Sequence, residues 1–391
     1  MVSKYHAKII TSLREISEKD WNACCFTDVT GHNPFLSYQF VQALEESGCA
    51  TGETGWQAQH ILISLGDRLV GVLPLYLKTH SYGEYVFDHA WANALNNSGG
   101  DYYPKLQSSI PFTPVTGSKL MVRPTEINAG NKPDIQQHLI DHALSLVKQY
   151  GLSSLHVTFA EKAEWDFMAQ QGFLQRLDQQ FHWLNEGYES FEAFLMALSS
   201  RKRKTIRKER AQAVINDVEI ECLTGKAITE NHWDHYFSFY LETAHKKWGQ
   251  PYLNRKFFSL LGQNMADKIL LIMCRRNDKY IAGALNLLSD DTLYGRYWGA
   301  IEDHKYLHFE VCYYQAIDYA IKHGLKKVEA GAQGEHKLMR GYLPATTYST
   351  HWISNPSFRK AIDDYLRHER AAVKEDQAIL TGFAPFKKEP R

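Results

Sequence analysis

Apolar positions along the chain alternate between helix and strand periods, and they do so twice in the same order. Phe309, Cys312, Tyr313, Ala316, Ile317, Ala320 and Ile321 recur at i, i+3, i+4 and i+7, which predicts one buried face of a helix. Gly324 follows as a C-terminal stop, and Leu325-Lys-Lys-Val-Glu329 then predicts a strand. Ala143-Leu-Ser-Leu-Val-Lys-Gln-Tyr-Gly151-Leu-Ser-Ser-Leu-His156 repeats that pattern, a helix closed by glycine and then a strand. Upstream of each helix lies a hairpin signal. Gln59–Leu65 pairs with the apolar run Asp67–Leu77, and Ile269–Cys274 pairs with Asp278–Leu288.

A doubled order of helix, hairpin, strand, helix, glycine, strand predicts two tandem α/β lobes on mixed sheets. The boundary is expected near residue 185, giving lobes 1–185 and 186–391. The Gly71–Gly151 spacing exceeds Gly283–Gly324 by about 39 residues, so the first lobe carries an insert placed at about 78–118. That insert is aromatic, polar and punctuated by Gly and Pro, and long inserts in compact domains tend to carry function. The tail from about Asn355 predicts a charged amphipathic helix.

Composition narrows the class. Hydrophobic residues make up 44% and aromatics 13%, which is a folded globular chain. Lys+Arg and Asp+Glu are 44 each, so any attraction for polyanions is local. The six cysteines form no Cys-x-x-Cys pair, which argues against a structural zinc site or a disulfide framework. With no apolar signal core at the N-terminus and no run long enough to span a membrane, the expectation is a cytoplasmic protein.

One stretch breaks the charge balance. Arg201-Lys-Arg-Lys-Thr-Ile-Arg-Lys-Glu-Arg210 holds seven cations and one acid. Ser200 is the expected N-cap, with Ile206, Ala213 and Val214 as the buried stripe. Cations in a first helical turn oppose the macrodipole, and an anion there would relieve the repulsion. Arg203 and Arg207 are therefore candidates for phosphate or nucleic-acid contact.

A second stretch concentrates chemistry. Glu329-Ala-Gly-Ala-Gln-Gly-Glu-His-Lys-Leu-Met-Arg-Gly-Tyr342 places acids, an imidazole and cations after the strand that follows the capped helix. Acid and imidazole serve proton transfer, and cations bind anions.

Several strings together resemble the FemAB-like N-acyltransferases, also described as peptidoglycan biosynthesis or recognition proteins. They are His80-Ser-Tyr-Gly-Glu-Tyr-Val-Phe-Asp88, Tyr102-Tyr-Pro-Lys-Leu-Gln107, Pro111-Phe-Thr-Pro-Val-Thr-Gly117, the basic run, Leu293–Gly299, Leu307–Gln315 and Glu329–Leu338. The resemblance runs along nearly the whole chain. It implies two tandem GNAT-like acyltransferase lobes and transfer of an acyl or aminoacyl group to an amine. It also implies a co-substrate donor, aminoacyl-tRNA or acyl-CoA, rather than a tightly bound cofactor. The implied partners are a small-molecule or peptide amine acceptor, a cell-wall precursor among them, and tRNA. Two departures stand out. Gly299-Ala-Ile-Glu-Asp-His-Lys-Tyr-Leu-His308 is a poor pyrophosphate cradle, with two acids and no further glycine. No sustained heptad pattern follows the basic segment, where some tRNA-dependent relatives carry a helical arm.

Amine attack on an ester or thioester needs a base, oxyanion donors and cations for the donor's phosphates. Glu329 and His336 are the candidate bases, with Glu310 third, because a helix start favours its ionised form. Lys337 and Arg340 are candidates for phosphate or carboxylate binding, and the resemblance points to Lys337 as the lysine of the C-terminal loop. Asp88, His89, Tyr103 and Lys105 are candidates to line the acceptor pocket. No Ser/His/Asp order or metal cluster stands out, so neither a covalent intermediate nor a metal is expected. The alternative reading is a non-catalytic protein that binds RNA or a peptidoglycan precursor.

Overall fold

The computed structural model describes residues 4–25, 33–247, 249–331 and 334–387. The chain divides into two compact units, residues 1–178 with 347–373 and residues 179–346 with 374–391.

The first unit holds two sheets. Tyr5–Ile10, His60–Leu65, Arg68–Leu73 and Met121–Val122 form an antiparallel sheet in that order. In the other, Leu343–Ile353 (from Thr347 on), Ser154–Ala160, Lys105–Ser108, Tyr76–Lys78 and Trp56–Ala58 lie side by side. The apolar run expected as one strand over Asp67–Leu77 is thus two strands in two sheets. They part at Pro74, which cannot donate to a ladder. Helix Lys132–Gln149 buries Ile135, Leu139, Ile140, Ala143, Leu146 and Val147 against Ile61, Ile63, Leu73, Leu106 and Leu155. Each fully buried Ile, Leu or Val among them contributes about 1.5–3 kcal/mol.

Alternation sorts the second of these sheets by chemistry. Leu77, Leu106 and Leu155 face the apolar cluster. Tyr76, Lys78, Lys105, Gln107 and His156 occupy the alternate positions on the opposite face. That polar face is covered by segment 79–88, by helix His89–Asn97 and by residues 356–373 of helix Pro356–Gly382. Trp91, Leu95, Tyr102, Ile353, Ile362 and Leu366 make a small apolar cluster there. The helix inside the insert has no counterpart in the sequence reading.

In the second unit the sheet order is Glu219–Thr224, Ile269–Arg276, Lys279–Leu288, Thr292–Ala300, Lys327–Glu329 and residues 179–184 of strand Leu174–Leu184. All neighbours are antiparallel except Thr292–Ala300 with Lys327–Glu329. The helical crossover between those two parallel strands runs from Leu307 to Lys322, with a π-helical segment at Glu310–Tyr314. Ala316, Ile317, Ala320 and Ile321 are buried, as the period predicts. Gly151 and Gly324 close their helices at φ of +63° and +67°, left-handed values that favour glycine.

The basic helix spans Ser200–Ala213, and its N-cap is Ser199 rather than Ser200, without a side-chain capping bond. Its buried residues are Ile206, Glu209 and Ala213. Val214 is 43% exposed, so the expected apolar stripe is instead completed by an acid.

Candidate active site and a buried polar interior

Parallel pairing of Thr292–Ala300 with Lys327–Glu329 ends at Tyr294 opposite Glu329. The first strand runs on to Ala300, while the chain after Glu329 turns away into the loop sought from the sequence. Glu329 therefore stands at a fork between two strands. On its other side it is the register partner of His182. Its carboxylate is buried; Oε1 meets Lys327 Nζ at 2.7 Å, and Oε2 has no hydrogen-bond partner among the described residues and lies 3.9 Å from His182 Nε2. Burial lowers the pKa of His182, against the pull of Glu329, so this imidazole is held neutral.

Ala332 and Gln333 of the Glu329–Tyr342 stretch lie outside the described residues, as does the Glu335 side chain. Lys337 is buried, and its Nζ donates to the carbonyls of Ala330 at 2.5 Å and Gly331 at 3.2 Å, folding the loop back on itself. Arg340 is buried as well. It donates to both oxygens of Glu209 at 2.8 and 3.0 Å and to the His336 carbonyl at 2.7 Å, and it stacks 3.5 Å over the Phe309 ring. The Tyr314 hydroxyl also bonds to Glu209. The two cations sought as anion binders thus both hold protein acceptors here.

His336 is exposed, with Nε2 2.9 Å from the Tyr313 hydroxyl and its ring among Phe309, Tyr313 and His308. Burial and the Arg340 and Lys337 charges lower its pKa. Glu310 is buried and gripped by Arg210 Nε and Nη2 at 3.0–3.2 Å, with Gln315 Nε2 at 2.8 Å. Of the basic helix, Arg207 pairs with Glu192 and Arg203 points Nη1 at Met196 Sδ, 3.3 Å away. Arg201, Lys204 and Lys208 are exposed.

In the first unit, three of the four insert candidates meet. Lys105 Nζ, fully buried, donates to Asp88 Oδ2 at 2.5 Å, Glu84 Oε2 at 2.7 Å and Ser81 Oγ at 2.9 Å. Ser81 Oγ lies 2.7 Å from the Tyr103 hydroxyl. His89 is exposed on the outer side of its helix and does not join them. The network is wider than the sequence suggested. Tyr102 OH donates to Asp88 Oδ2 at 2.7 Å and lies 3.2 Å from His156 Nε2, whose Nδ1 is 2.7 Å from Nδ1 of His351. Lys78 Nζ sits 3.5 Å over the Trp56 ring and 4.0 Å from Glu84 Oε1.

Electrostatics follow from this burial. Burial pushes the Asp88 carboxyl up, but the Lys105 ammonium outweighs it and holds the group well below the usual carboxylate range. Burial raises Glu84 to about 7 and lowers Lys78 to about 7. His156 falls to about 3 through burial and then Lys105. Among the described residues no group of three or more His, Cys, Asp or Glu is placed to hold a metal ion, and no helix is long and apolar enough to cross a membrane.

Sequence reasoning passed over Glu209, Glu84, Lys78, His182 and the His156–His351 pair. Glu209 did carry a signal, as the single acid in a run of cations.

A mixed sheet recurs in each unit, each with one parallel pair, and in the second unit that pair forks at Glu329. FemX matches with a TM-score of 0.55 at 11% identity, covering 92% of this chain and 100% of FemX. L-PGS from Bacillus licheniformis matches at 0.50 and 9% identity, covering 86% and 98%. A tandem GNAT protein from the clavulanic acid biosynthesis pathway matches at 0.47 and 12% identity, covering 90% and 99%. The chain belongs to the FemAB-like family, described as peptidoglycan biosynthesis/recognition, whose model spans residues 12–388. No curated protein matches it.

Proposed function

We propose that the protein is an N-acyltransferase that moves an acyl or aminoacyl group from an activated donor to an amine. The donor is aminoacyl-tRNA or acyl-CoA, and the family description directs the choice of acceptor toward peptidoglycan precursors. The observation that carries this reading is Glu329, a buried carboxylate with one unbonded oxygen at the fork of two parallel strands. Beyond such a fork the continuing strand offers backbone N–H and C=O groups along one edge, to which an extended donor arm can bond.

In this scheme the amine nitrogen bonds to the acyl carbon and Glu329 Oε2 takes the amine proton. The ester oxygen or thioester sulfur then leaves with the electron pair of the broken bond. Lys327 on Oε1 holds the carboxylate turned. His336 is the second candidate base; its exposure makes it the weaker choice. Lys337 and Arg340 shape the loop, and the donor's phosphates fall to the exposed cations of the basic helix, with Arg203 beside them. Asp88, Lys105 and Tyr103 serve the acceptor.

The test is transfer to a panel of amines from labelled aminoacyl-tRNAs and acyl-CoAs. Glu329→Gln is expected to lose about 100-fold or more of turnover, the usual size of a general-base term, with its melting temperature unchanged. Full turnover in Glu329→Gln would remove the site assignment, and no transfer by the parent chain with any donor would remove the function.

A further inference from the structure

The polar interior of the first unit is costly as a purely structural device. Glu84, Asp88, Lys78, Lys105, His156 and His351 are all buried within one unit. Buried ionic clusters are weak sources of stability, and each unpaired oxygen inside them adds a desolvation cost. The Tyr76 hydroxyl on this face has no hydrogen-bond partner among the described residues, and neither do three carboxylate or amide oxygens, Glu84 Oε1, Asp88 Oδ1 and Gln107 Oε1. All three are acceptors. Gln107 is 0% exposed and its Nε2 is tied to Thr158 Oγ1 at 3.1 Å, which turns Oε1 away from that bond. It lies two residues beyond Lys105 on the same sheet face. Glu84 and Asp88 converge on the single Lys105 ammonium through their other oxygens.

Unpaired acceptors call for a donor-rich cation. Lys78 partly meets that demand and does so poorly. It is 4.0 Å from Glu84 Oε1, and among the described residues its one hydrogen-bond acceptor is the Tyr82 carbonyl at 3.3 Å. The segment over the site, 79–88, has no regular secondary structure, and Tyr85 within it is left-handed at φ +60°. A bulky residue held there is strained, and such strain gathers at binding sites.

We propose that this interior recognises a primary ammonium group, with Glu84 Oε1, Asp88 Oδ1 and Gln107 Oε1 as its acceptors and Lys78 as the residue that yields to it. This binding does not rest on the acyl-transfer reading, in which the attacking amine gives its proton to Glu329. A ligand ammonium brings three N–H donors to three oxygens. Lys78 accommodates the added charge by giving up its proton, consistent with the lowering of its pKa by burial.

The experiment uses the full chain with n-butylammonium chloride, and tetramethylammonium chloride at equal ionic strength as the cation without N–H donors. Butylammonium is expected to raise the melting temperature and tetramethylammonium to leave it in place. Glu84→Gln and Gln107→Met should each weaken the butylammonium response about tenfold or more, the loss of one charge-assisted hydrogen bond. Lys78→Met should strengthen it. Equal shifts from both cations, no shift from either, or an unchanged response in both acceptor variants would overturn the proposal. Because the parent-chain comparison needs no variant, a variant that fails to fold does not remove the test. Binding is read without an acyl donor. Butylammonium binding without transfer would keep this inference and sink the transfer reading; transfer without binding would do the reverse.

Discussion

His156 and His351 are register partners on adjacent strands, and their Nδ1 atoms approach to 2.7 Å in a fully buried setting. One imidazole must donate and the other accept, so the contact is made by two neutral rings in complementary tautomers. Burial is the first cause of the lowered pKa of each, with His156 at about 3 and His351 well below its ordinary value. The folded pKa lies below the unfolded one, so the unfolded state takes up protons first as pH falls. The pair's contribution is present above about pH 6.5 and is lost progressively toward pH 3. Glu84 runs the other way, because its pKa is raised to about 7 and folding favours its protonated form as pH falls. The wild-type slope is therefore a balance. The expected outcome is a difference: His156→Gln should lose less stability between pH 7 and pH 5 than wild type, by up to about 1.4 kcal/mol per pH unit. Melting curves across that range check it, and parallel curves for the two proteins would refute it.

Arg340 and Glu209 form the second buried pair, sealed by Tyr314 and Phe309. Removing one partner leaves a buried charge alone, so Glu209→Leu and Arg340→Met should each cost about 3–5 kcal/mol. The double variant should recover most of that loss, because both charges go together. Thermal unfolding of the three variants gives the coupling. Additive losses would show that the pair does not hold the loop to the basic helix.

Much of this was legible in the sequence. Each capped helix leads into a strand, and the 3.6-residue period of Phe309–Ile321 and the glycine stops mark these helices plainly. Glu329 sits where the repeat placed it, at the end of a short strand. What escaped is set by side-chain pairing across long separations. Arg340 and Lys337 read as free cations because Glu209 is 131 residues from Arg340, and because a lysine's carbonyl partners leave no trace in composition. Pro74 was a visible break, overridden by the continuous apolar run around it. His156 appears in the sequence only as the end of a helix-glycine-strand string, since its partner His351 is 195 residues away. Clustering of residues 347–373 with the first unit is likewise invisible in chain order.

Glu310 and Glu329 are both buried acids of the second unit, and their partners separate them. Glu310 is saturated by Arg210 and Gln315. Glu329 keeps Oε2 unbonded. Glu310→Gln is therefore expected to lower stability by about 1–3 kcal/mol, the worth of a charge-assisted bond, and to leave turnover within about threefold. A transfer assay beside a melting curve distinguishes this from a catalytic role. A Glu310→Gln protein that melts like wild type but has lost turnover would make Glu310 the base.

The exposed cations of the basic helix bear on the donor. Arg207 is paired with Glu192 and Arg210 with Glu310, whereas Arg201, Lys204 and Lys208 are exposed along the same helix. No acid stands in its first turn and Ser199 does not cap it, so the end is electropositive and its N–H groups are unclaimed by the cap. If RNA is the donor's carrier, its phosphates displace counterions there. Charge reversal at Arg201 and Lys204 should then weaken RNA binding strongly and make the slope of log K against log salt shallower by about 2. Arg207→Glu changes a residue already paired and should do less. Titrations of tRNA at several salt concentrations measure both quantities. An unchanged slope in the double reversal would take RNA off this helix and leave acyl-CoA as the donor to pursue.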